Sequence, residues 1–324
     1  MIPTADTHSL PHTTRNAADL RIVFMGTPEF AVASLRALVE NGFAIVGVVT
    51  APDKPAGRGL QLQQSAVKKY TVENGLQVLQ PPRLKDPEFL ATLKALQAHL
   101  QVVVAFRMLP EAVWAMPPLG TVNVHGSLLP QYRGAAPINW AIINGEEETG
   151  ITTFKLQHEI DAGAILLQER IRIGAEETAG DLHDRMKLIG AQLLVQTIQG
   201  IAAGTIVEQP QHTSDAAIKH APKIHTETCK IDWTKSVHAV YNVVRGLSPY
   251  PAAFTELEGK KLKLYAVSKE LQKPAELPGT ITTDKKTYLK FACADGYIAV
   301  WDLQLEGKKR LQVSDFLRGY RFAE

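Results

Sequence analysis

A strand, a helix and a second strand follow one another within about thirty residues near the start of the chain. Arg21 to Met25 and Ala44 to Thr50 are apolar runs of strand length. Between them, apolar residues recur at helical spacing from near Pro28 until Asn41-Gly42 stops the pattern. Two strands joined by a helix form a βαβ unit, so both strands lie parallel in one sheet. The sequence therefore predicts an α/β domain.

The turn after the first predicted strand excludes the dinucleotide-binding class. Such a turn needs three glycines in the pattern Gly-x-Gly-x-x-Gly. The chain instead has Gly26-Thr27-Pro28-Glu29-Phe30, with a single glycine.

Strands and helices keep alternating as far as residue 204, after which the pattern changes. Further strands are predicted at 77–79, 101–106, around Asn123 and His125, at 150–156 (alternating, hence half-exposed) and at 164–173, and helices at about 65–74, 87–98, 136–144 and 179–202. Short alternating segments at 253–257, 261–267, 280–281, 289–292 and 297–305 predict a small antiparallel barrel. We therefore expect a disordered extension at 1–20, a catalytic domain at 21–204, a polar linker at 205–222 and a barrel domain at 223–324.

Composition limits the remaining possibilities. A length of 324 residues with 45% hydrophobic content suffices for two packed domains. No apolar run approaches a membrane span, residues 1–20 do not have the pattern of a signal peptide, and Cys229 and Cys293 match no metal or redox spacing. We expect a soluble, cytoplasmic monomer. Residues 207–324 carry a net charge of +4 and the remainder −2, which fits a second domain that touches phosphates or an ordinary solvated surface.

Asn123 and His125 lie in a short apolar strand that ends at Gly126-Ser127-Leu128-Leu129-Pro130. Because a strand repeats every two residues, the two polar side chains point to the same side. Ligands bind at the carboxyl edge of an open α/β sheet. An amide donor beside an imidazole suits acyl chemistry, although taken alone the pair also fits polar residues that cap a turn.

Two loops add candidate functional residues. The segment 51–60 is rich in Pro and Gly and carries Arg58, and the segment 157–163 contains two acidic residues, including Asp161, and a histidine. The second loop lacks a His-Glu-x-x-His pair on a helix, so we expect no metal.

Four segments resemble one family. Asn-Val-His-Gly-Ser-Leu-Leu-Pro at 123–130 and Tyr-Arg-Gly-Ala-Ala-Pro-Ile at 132–138 are similar to the motif of the 10-formyltetrahydrofolate-dependent formyltransferases. Ala-Gly-Arg-Gly at 56–59 and Gly-Lys-Lys-Arg at 307–310 resemble the branch whose acceptor is initiator methionyl-tRNA. The resemblance extends from Arg21 to about Arg318. It implies a Rossmann-like open, parallel-type sheet followed by an OB-like barrel.

The resemblance also implies a reaction, in which the formyl group on N10 of 10-formyltetrahydrofolate moves to the α-amino group of the methionine. Asn123 would donate a hydrogen bond to the tetrahedral oxyanion. His125 would share that contact or pass the proton to the departing nitrogen. Asp161 would orient the imidazole, stabilise its cation, or take the proton from the amine. Neither a metal nor a covalent intermediate is needed.

Binding residues follow from the same resemblance. The folate pocket would be lined by Arg107, Met108, Leu109, Ser127, Leu128, Leu129 and Pro130. The tRNA would be contacted by Arg58, Lys308, Lys309 and Arg310. The segment before Pro110 is one residue shorter than is usual in the family and places Arg107 where small or apolar residues are common. That arginine either meets the glutamate tail of the folate or faces water.

Three alternatives stay open. A formyltransferase for amino-sugar nucleotides would share the catalytic trio but should lack the Ala-Gly-Arg-Gly loop paired with a basic carboxy-terminal cluster. Glycinamide ribonucleotide formyltransferase is a single domain and would lack the barrel. A non-catalytic tRNA-binding protein would not need Asn123, His125 and Asp161 together.

Overall fold

The computed structural model describes residues 16–56, 61–212 and 217–322. The first part contains β1 (Arg21–Gly26), α1 (Glu29–Glu40), β2 (Ala44–Val49), β3 (Lys54–Ala56), β4 (Gln61–Gln63), α2 (Ala66–Glu73), β5 (Val78–Leu79), α3 (Pro87–Ala95), β6 (Leu100–Val104), α4 (Glu111–Trp114), β7 (Thr121–His125), β8 (Arg133–Gly134), α5 (Pro137–Ile143), β9 (Glu148–Lys155), β10 (Ile165–Arg172) and α6 (Ala179–Ala203). The second part contains β11 (His220–Ala221), α7 (Val237–Leu247), β12 (Ala253–Leu257), β13 (Lys260–Glu270), β14 (Ile281–Thr283), β15 (Leu289–Ala292), β16 (Tyr297–Leu305), β17 (Leu311–Gln312) and α8 (Val313–Gly319). Short 3-10 helices lie at Ala17–Asp19 and Glu227–Cys229.

The first part is built on a seven-stranded sheet in the order β10-β9-β7-β6-β1-β2-β5. The strands from β7 to β5 run parallel, which confirms the predicted βαβ start and the open α/β class. The last two strands, β9 and β10, are antiparallel to their neighbours. The sequence did not predict that the sheet is antiparallel at this edge, because the direction of a strand depends on chain connections that hydrophobic periodicity does not reveal.

Strand β9 corrects one prediction. Its alternation indicated a half-exposed strand, but residues 149–154 are all buried. The prediction was wrong because β9 lies between β7 and β10, and because two of its buried threonines, Thr152 and Thr153, have hydrogen-bond partners. The hydroxyl of Thr152 donates to the carbonyl of Ser127 at 2.7 Å, and that of Thr153 lies 2.8 Å from the Thr197 hydroxyl.

The ordered chain includes residues before β1. Asn16 caps the short helix Ala17–Asp19 by accepting a hydrogen bond from the Ala18 amide, and Leu20 is fully buried in the first core. Residues 1–15 of the predicted extension lie outside the described residues.

The second part is a curled antiparallel half-barrel, with strand order β12-β13-β16-β15-β14 and β17 added on β16. Register shifts in β13 near Ala266 bend its pairing with β16. Helix α7 covers the sheet with Val237, Val240 and Val244, which join its apolar core. The predicted OB-like second domain is confirmed in this form.

The two parts meet at α5 and α7, and the segment 205–222, predicted from the sequence to be a linker, follows the first part closely. The backbones of Gln209 and Ile165 exchange two hydrogen bonds, at 2.7 and 2.9 Å, and β11 pairs in parallel with β8. Within the described ranges, no helix is long and apolar enough to cross a membrane.

Candidate active site

A cavity of about 740 Å³ opens where β6 and β7 end. That edge holds the carboxyl ends of the parallel strands, where ligands bind in open α/β sheets. Its walls come from the ends of β6 and β7, from α4, from α5 and from the loop after β9. The volume lies within the range of small-molecule sites.

Asn123 presents its amide to this cavity from the middle of β7. The backbone of Asn123 is fixed by pairing with Val103 on one side and Phe154 on the other. Among the described residues, none forms a hydrogen bond with its side-chain amide, which is half-buried. An amide donor held by two neighbouring strands is positioned for a ligand oxygen.

His125 ends the same strand and is only 7% exposed. Its Nε2 lies 2.9 Å from the carbonyl oxygen of Tyr132. A carbonyl can only accept, so Nε2 carries a proton and donates it. The other ring nitrogen, Nδ1, lies 3.8 Å from Oδ2 of Asp161. The tautomer therefore leaves Nδ1 as the atom able to receive or deliver a second proton.

Asp161 lies in the loop after β9, and its carboxylate approaches His125. Its backbone is left-handed, with φ of +52°, a conformation that Asp tolerates better than most residues. Oδ2 accepts a hydrogen bond of 2.9 Å from the amide of Gly134. The structure thus brings Asn123, His125 and Asp161, which are separated in sequence by up to 38 residues, to one end of the cavity.

Tyr132, whose carbonyl orients His125, is anchored at its own hydroxyl. This hydroxyl donates to Glu146 at 2.5 Å, and Lys219 of the linker also binds that carboxylate. Burial raises the pKa of the Tyr132 phenol, and the adjacent Glu146 raises it further. Burial alone would raise the pKa of the Glu146 carboxyl, but hydrogen bonds from Lys219 and Tyr132 hold it below its ordinary value.

The predicted folate-binding residues divide into two groups. Arg107, Met108 and Leu109 line the cavity. The Arg107 guanidinium donates to the carbonyls of Pro81 and, at 3.0 Å, of Pro82, while the residue stays exposed at the cavity. Both alternatives for Arg107, a contact with the glutamate tail of the folate and a surface position facing water, stay predictions.

The other group, the turn Ser127 to Pro130, lies behind the cavity wall. Leu129 is 3% exposed, and its amide donates to the Thr152 hydroxyl at 3.1 Å. Gln168 donates to the carbonyl of Leu129 at 3.0 Å. None of these four residues is among the described residues that line the cavity, so any effect on folate would pass through the wall they support.

The predicted tRNA contacts are placed differently from one another. Arg58 lies outside the described residues. Lys308 and Lys309 are exposed in the turn between β16 and β17, and neither forms an ion pair within the described part of the chain. Arg310 is already paired: it donates to both carboxylate oxygens of Asp302 at 2.7 to 2.9 Å and stacks over Tyr265.

Sequence reasoning missed several residues around the site. Helix α5 supplies a wall with Pro137, Ile138 and Asn139. Gln211 in the linker binds the Asp161 turn. No local pattern marks a glutamine that acts 50 residues away. Across residues 16–56, 61–212 and 217–322, no three His, Cys, Asp or Glu side chains are placed to hold a metal ion.

Comparison with known families matches both parts of the chain. Residues 20–198 match the family "Formyl transferase", and residues 223–321 match "Formyl transferase, C-terminal domain". The chain is 55% identical over 313 residues to a methionyl-tRNA formyltransferase of Parabacteroides distasonis, covering 94% of this chain and 96% of that protein. It is 51% identical over 314 residues to the methionyl-tRNA formyltransferase of Bacteroides thetaiotaomicron, covering 94% and 97%.

Solved structures share the fold at low identity. WlaRD, a sugar 3N-formyl transferase solved with dTDP and 5-N-formyl-THF, superposes with a TM-score of 0.64 at 19% identity, covering 90% of this chain and 99% of that one. HypX from Aquifex aeolicus, in complex with tetrahydrofolic acid, gives a TM-score of 0.62 at 18% identity, covering 94% and 48%. At these identities the likeness concerns the fold alone.

Proposed function

Since the chain belongs to the formyl transferase family, we propose that it transfers the formyl group of 10-formyltetrahydrofolate to the α-amino group of methionyl-tRNA. The product, N-formylmethionyl-tRNA, starts translation. The observation that carries this function is the meeting of an amide donor, an imidazole and a carboxylate at one end of a cavity, on a chain half identical to methionyl-tRNA formyltransferases along 94% of its length.

The cavity fits the formyl donor. Its volume of about 740 Å³ suits a molecule of that size, and its apolar walls include Phe106, Met108 and Leu156. The donor, when bound, supplies a formyl carbon that an amine can attack. The amide of Asn123 has no partner among the described residues and is available to the formyl oxygen.

Proton movement falls to His125 and Asp161. Because Nε2 of His125 is held by Tyr132, the imidazole can exchange a proton with the reacting nitrogens only through Nδ1. A positive charge on the ring is stabilised by the Asp161 carboxylate 3.8 Å away. The same carboxylate is an alternative acceptor for the proton of the amine. Removing Asn123 should lower turnover about a hundred- to a thousandfold.

Initiator methionyl-tRNA is the proposed macromolecular partner. Arg58 would place its acceptor end, while Lys308 and Lys309 lie exposed on the second domain and would meet phosphates. We place the reaction in the cytoplasm, where charged tRNA is used, and expect a monomer.

The test is a transfer assay with 10-formyltetrahydrofolate and three acceptors: charged initiator tRNA, uncharged initiator tRNA and a dTDP-amino sugar. We expect formylation of the charged tRNA alone, with turnover about a hundred- to a thousandfold lower in Asn123→Ala. Formylation of the sugar in preference to the tRNA would overturn the proposal and favour the amino-sugar alternative. Binding of tRNA with no transfer to any acceptor would favour the non-catalytic alternative.

A further inference from the structure

The linker between the two parts of the chain reaches the catalytic end of the cavity through one side chain, that of Gln211. Its amide nitrogen donates to two carbonyls of the aspartate turn, that of Asp161 at 2.8 Å and that of Gly163 at 2.9 Å. Its amide oxygen accepts from Nε and Nη2 of Arg133 at 3.1 and 2.7 Å. Both the donor nitrogen and the acceptor oxygen of the Gln211 side chain are therefore bound within the protein.

Gln211 binds both segments that form the contact holding the Asp161 carboxylate. One is the Asp161 turn itself, and the other is the strand that contains Arg133. Arg133 is followed by Gly134, whose amide donates to Asp161 Oδ2 at 2.9 Å. Gln211 thus fixes the turn that carries the carboxylate and the strand that supplies its donor. The left-handed backbone of Asp161 needs such support, because a non-glycine residue in that conformation is held there by its surroundings.

We propose that Gln211 is a positioning residue of the formyl-transfer site, acting through Asp161. This inference rests on the proposed function, since it assigns Gln211 a part in that reaction. Gln211 does not line the cavity, so it contacts neither the donor nor the acceptor amine among the described surroundings. Gln211 contributes by fixing the distance between the Asp161 carboxylate and Nδ1 of His125.

The chain offers a matched control two residues away. Gln209 lies in the same linker and is exposed, and it holds β10 only through its backbone, by two hydrogen bonds with Ile165. Gln209→Ala and Gln209→Glu change the same kind of side chain without touching the aspartate turn.

The informative substitution is Gln211→Glu, which keeps the size of the side chain and its contact with Arg133. A carboxylate cannot donate to the carbonyls of Asp161 and Gly163, and it repels them. We expect kcat to fall about ten- to a hundredfold in Gln211→Glu and Gln211→Ala, since small misplacements of reacting groups have effects of that size. KM for both substrates should stay within about threefold of wild type, and the Gln209 variants should keep normal turnover.

A double-variant cycle tests whether Gln211 acts through Asp161. In an Asp161→Asn background, Gln211→Ala should lower the residual turnover by less than about threefold, because the carboxylate it positions is already gone. An equal loss in both backgrounds would overturn the proposal and leave Gln211 as a general stabiliser of the fold.

Hydrogen exchange provides a readout that does not depend on activity. The Gly134 amide, which donates to Asp161, should exchange at least about tenfold faster in Gln211→Glu than in wild type or Gln209→Glu. Unchanged exchange in Gln211→Glu would overturn the inference. If wild type does not formylate methionyl-tRNA, the proposed function fails, and the exchange result still shows whether Gln211 holds the turn.

Discussion

Ala105 and Asp161, which line the cavity, and Tyr132, whose carbonyl contacts His125, are residues other than glycine with a left-handed backbone. Each such residue costs roughly 1–3 kcal/mol and persists because its surroundings impose the conformation. Two of them serve the proposed chemistry directly, because the carbonyl of Tyr132 accepts from His125 and Asp161 carries the facing carboxylate. At the residue scale, the site therefore depends on strained backbone conformations. Hydrogen bonds from residues around the reacting groups hold these conformations in place.

Two of the three histidines that line the cavity, His125 and His158, lead to the first prediction. His125 is 7% exposed, with Nε2 held by the Tyr132 carbonyl and Nδ1 facing Asp161. The side chain of His158 is 76% exposed, ion-paired with Glu111 and edge-on to the Trp114 ring. His125→Ala should lower kcat about a hundred- to ten-thousandfold, the range for a lost general acid or base. His158→Ala should keep kcat within about threefold.

The measurement is steady-state turnover of both variants, with thermal unfolding to show that each is folded. Asn123→Ala combined with His125→Ala should lose less than the product of the single losses, because both groups act on one transition state. A fully active His125→Ala protein, or equal losses in the two histidine variants, would contradict the assignment.

At the scale of elements, the sequence predicted those whose signal is local. Strand β7 contains Asn123 and His125 as predicted, and helix α6 is correct to within a residue at each end, because apolar periodicity is a local feature. The alternation of β9 was misleading, since the buried Thr152 and Thr153 satisfy their hydroxyls with partners elsewhere. Contacts of the linker could not be predicted, because Arg133 and Gln211 meet across 78 residues.

The anchor of Tyr132 leads to a prediction about pH. Glu146 joins the loop after β7 to the linker, and Lys219 and Tyr132 hold its pKa below the ordinary 4.5. A carboxyl whose pKa is lower in the folded than in the unfolded state stabilises the fold fully at pH values above its unfolded pKa. This stabilisation is lost as the pH falls through the folded pKa. Glu146→Gln should therefore be less stable than wild type by about 1 kcal/mol at pH 7.

Urea unfolding at several pH values measures the difference. The gap between wild type and Glu146→Gln should be constant above about pH 5 and should shrink below the ordinary value of 4.5. Glu147→Gln, which alters the exposed neighbouring carboxylate, should show no such gap. A gap that does not change with pH would mean that the carboxylate charge is not what stabilises the anchor.

At the scale of the whole molecule, α5 connects the cavity to the second part of the chain. Its first turn lines the cavity, and its far end packs on α7. Asn139 donates to the carbonyl of Gly246 at 2.7 Å, and the buried Arg245 donates to the carbonyls of Gly174 and Glu177 at 3.2 and 3.1 Å. The position of the half-barrel relative to the site is therefore set by this helix pair.

Gly246 permits that approach. A Cβ there would lie 2.6 Å from Cγ1 of Ile143 and 3.0 Å from its amide nitrogen. Gly246→Ala should lower the free energy of unfolding by about 1–3 kcal/mol, as overpacking does. Gly319→Ala, in α8 with open space around it, should be neutral or slightly stabilising. Denaturant unfolding of both variants decides this, and equal stabilities would show that α5 and α7 separate easily.

The basic turn of the half-barrel provides the last prediction, and the structure determines which residues to change. Arg310 is bound to Asp302, which is 9% exposed, and that carboxylate raises the pKa of the guanidinium. Removing Arg310 would leave a buried carboxylate unpaired and confuse lost stability with lost binding. The double variant Lys308→Ala/Lys309→Ala changes exposed charges only.

If both lysines contact phosphates, this variant should bind initiator tRNA more weakly, and the slope of log affinity against log salt should fall by about one unit per contact. The control is Lys85→Ala/Lys94→Ala, which removes the same charge from exposed positions of the first part, in and just before α3. It should leave the slope near that of wild type. A weaker affinity with an unchanged slope would point to a structural effect of the turn. Identical affinity and slope in all three proteins would show that the turn is an ordinary solvated surface, and the tRNA would then have to be held by other residues.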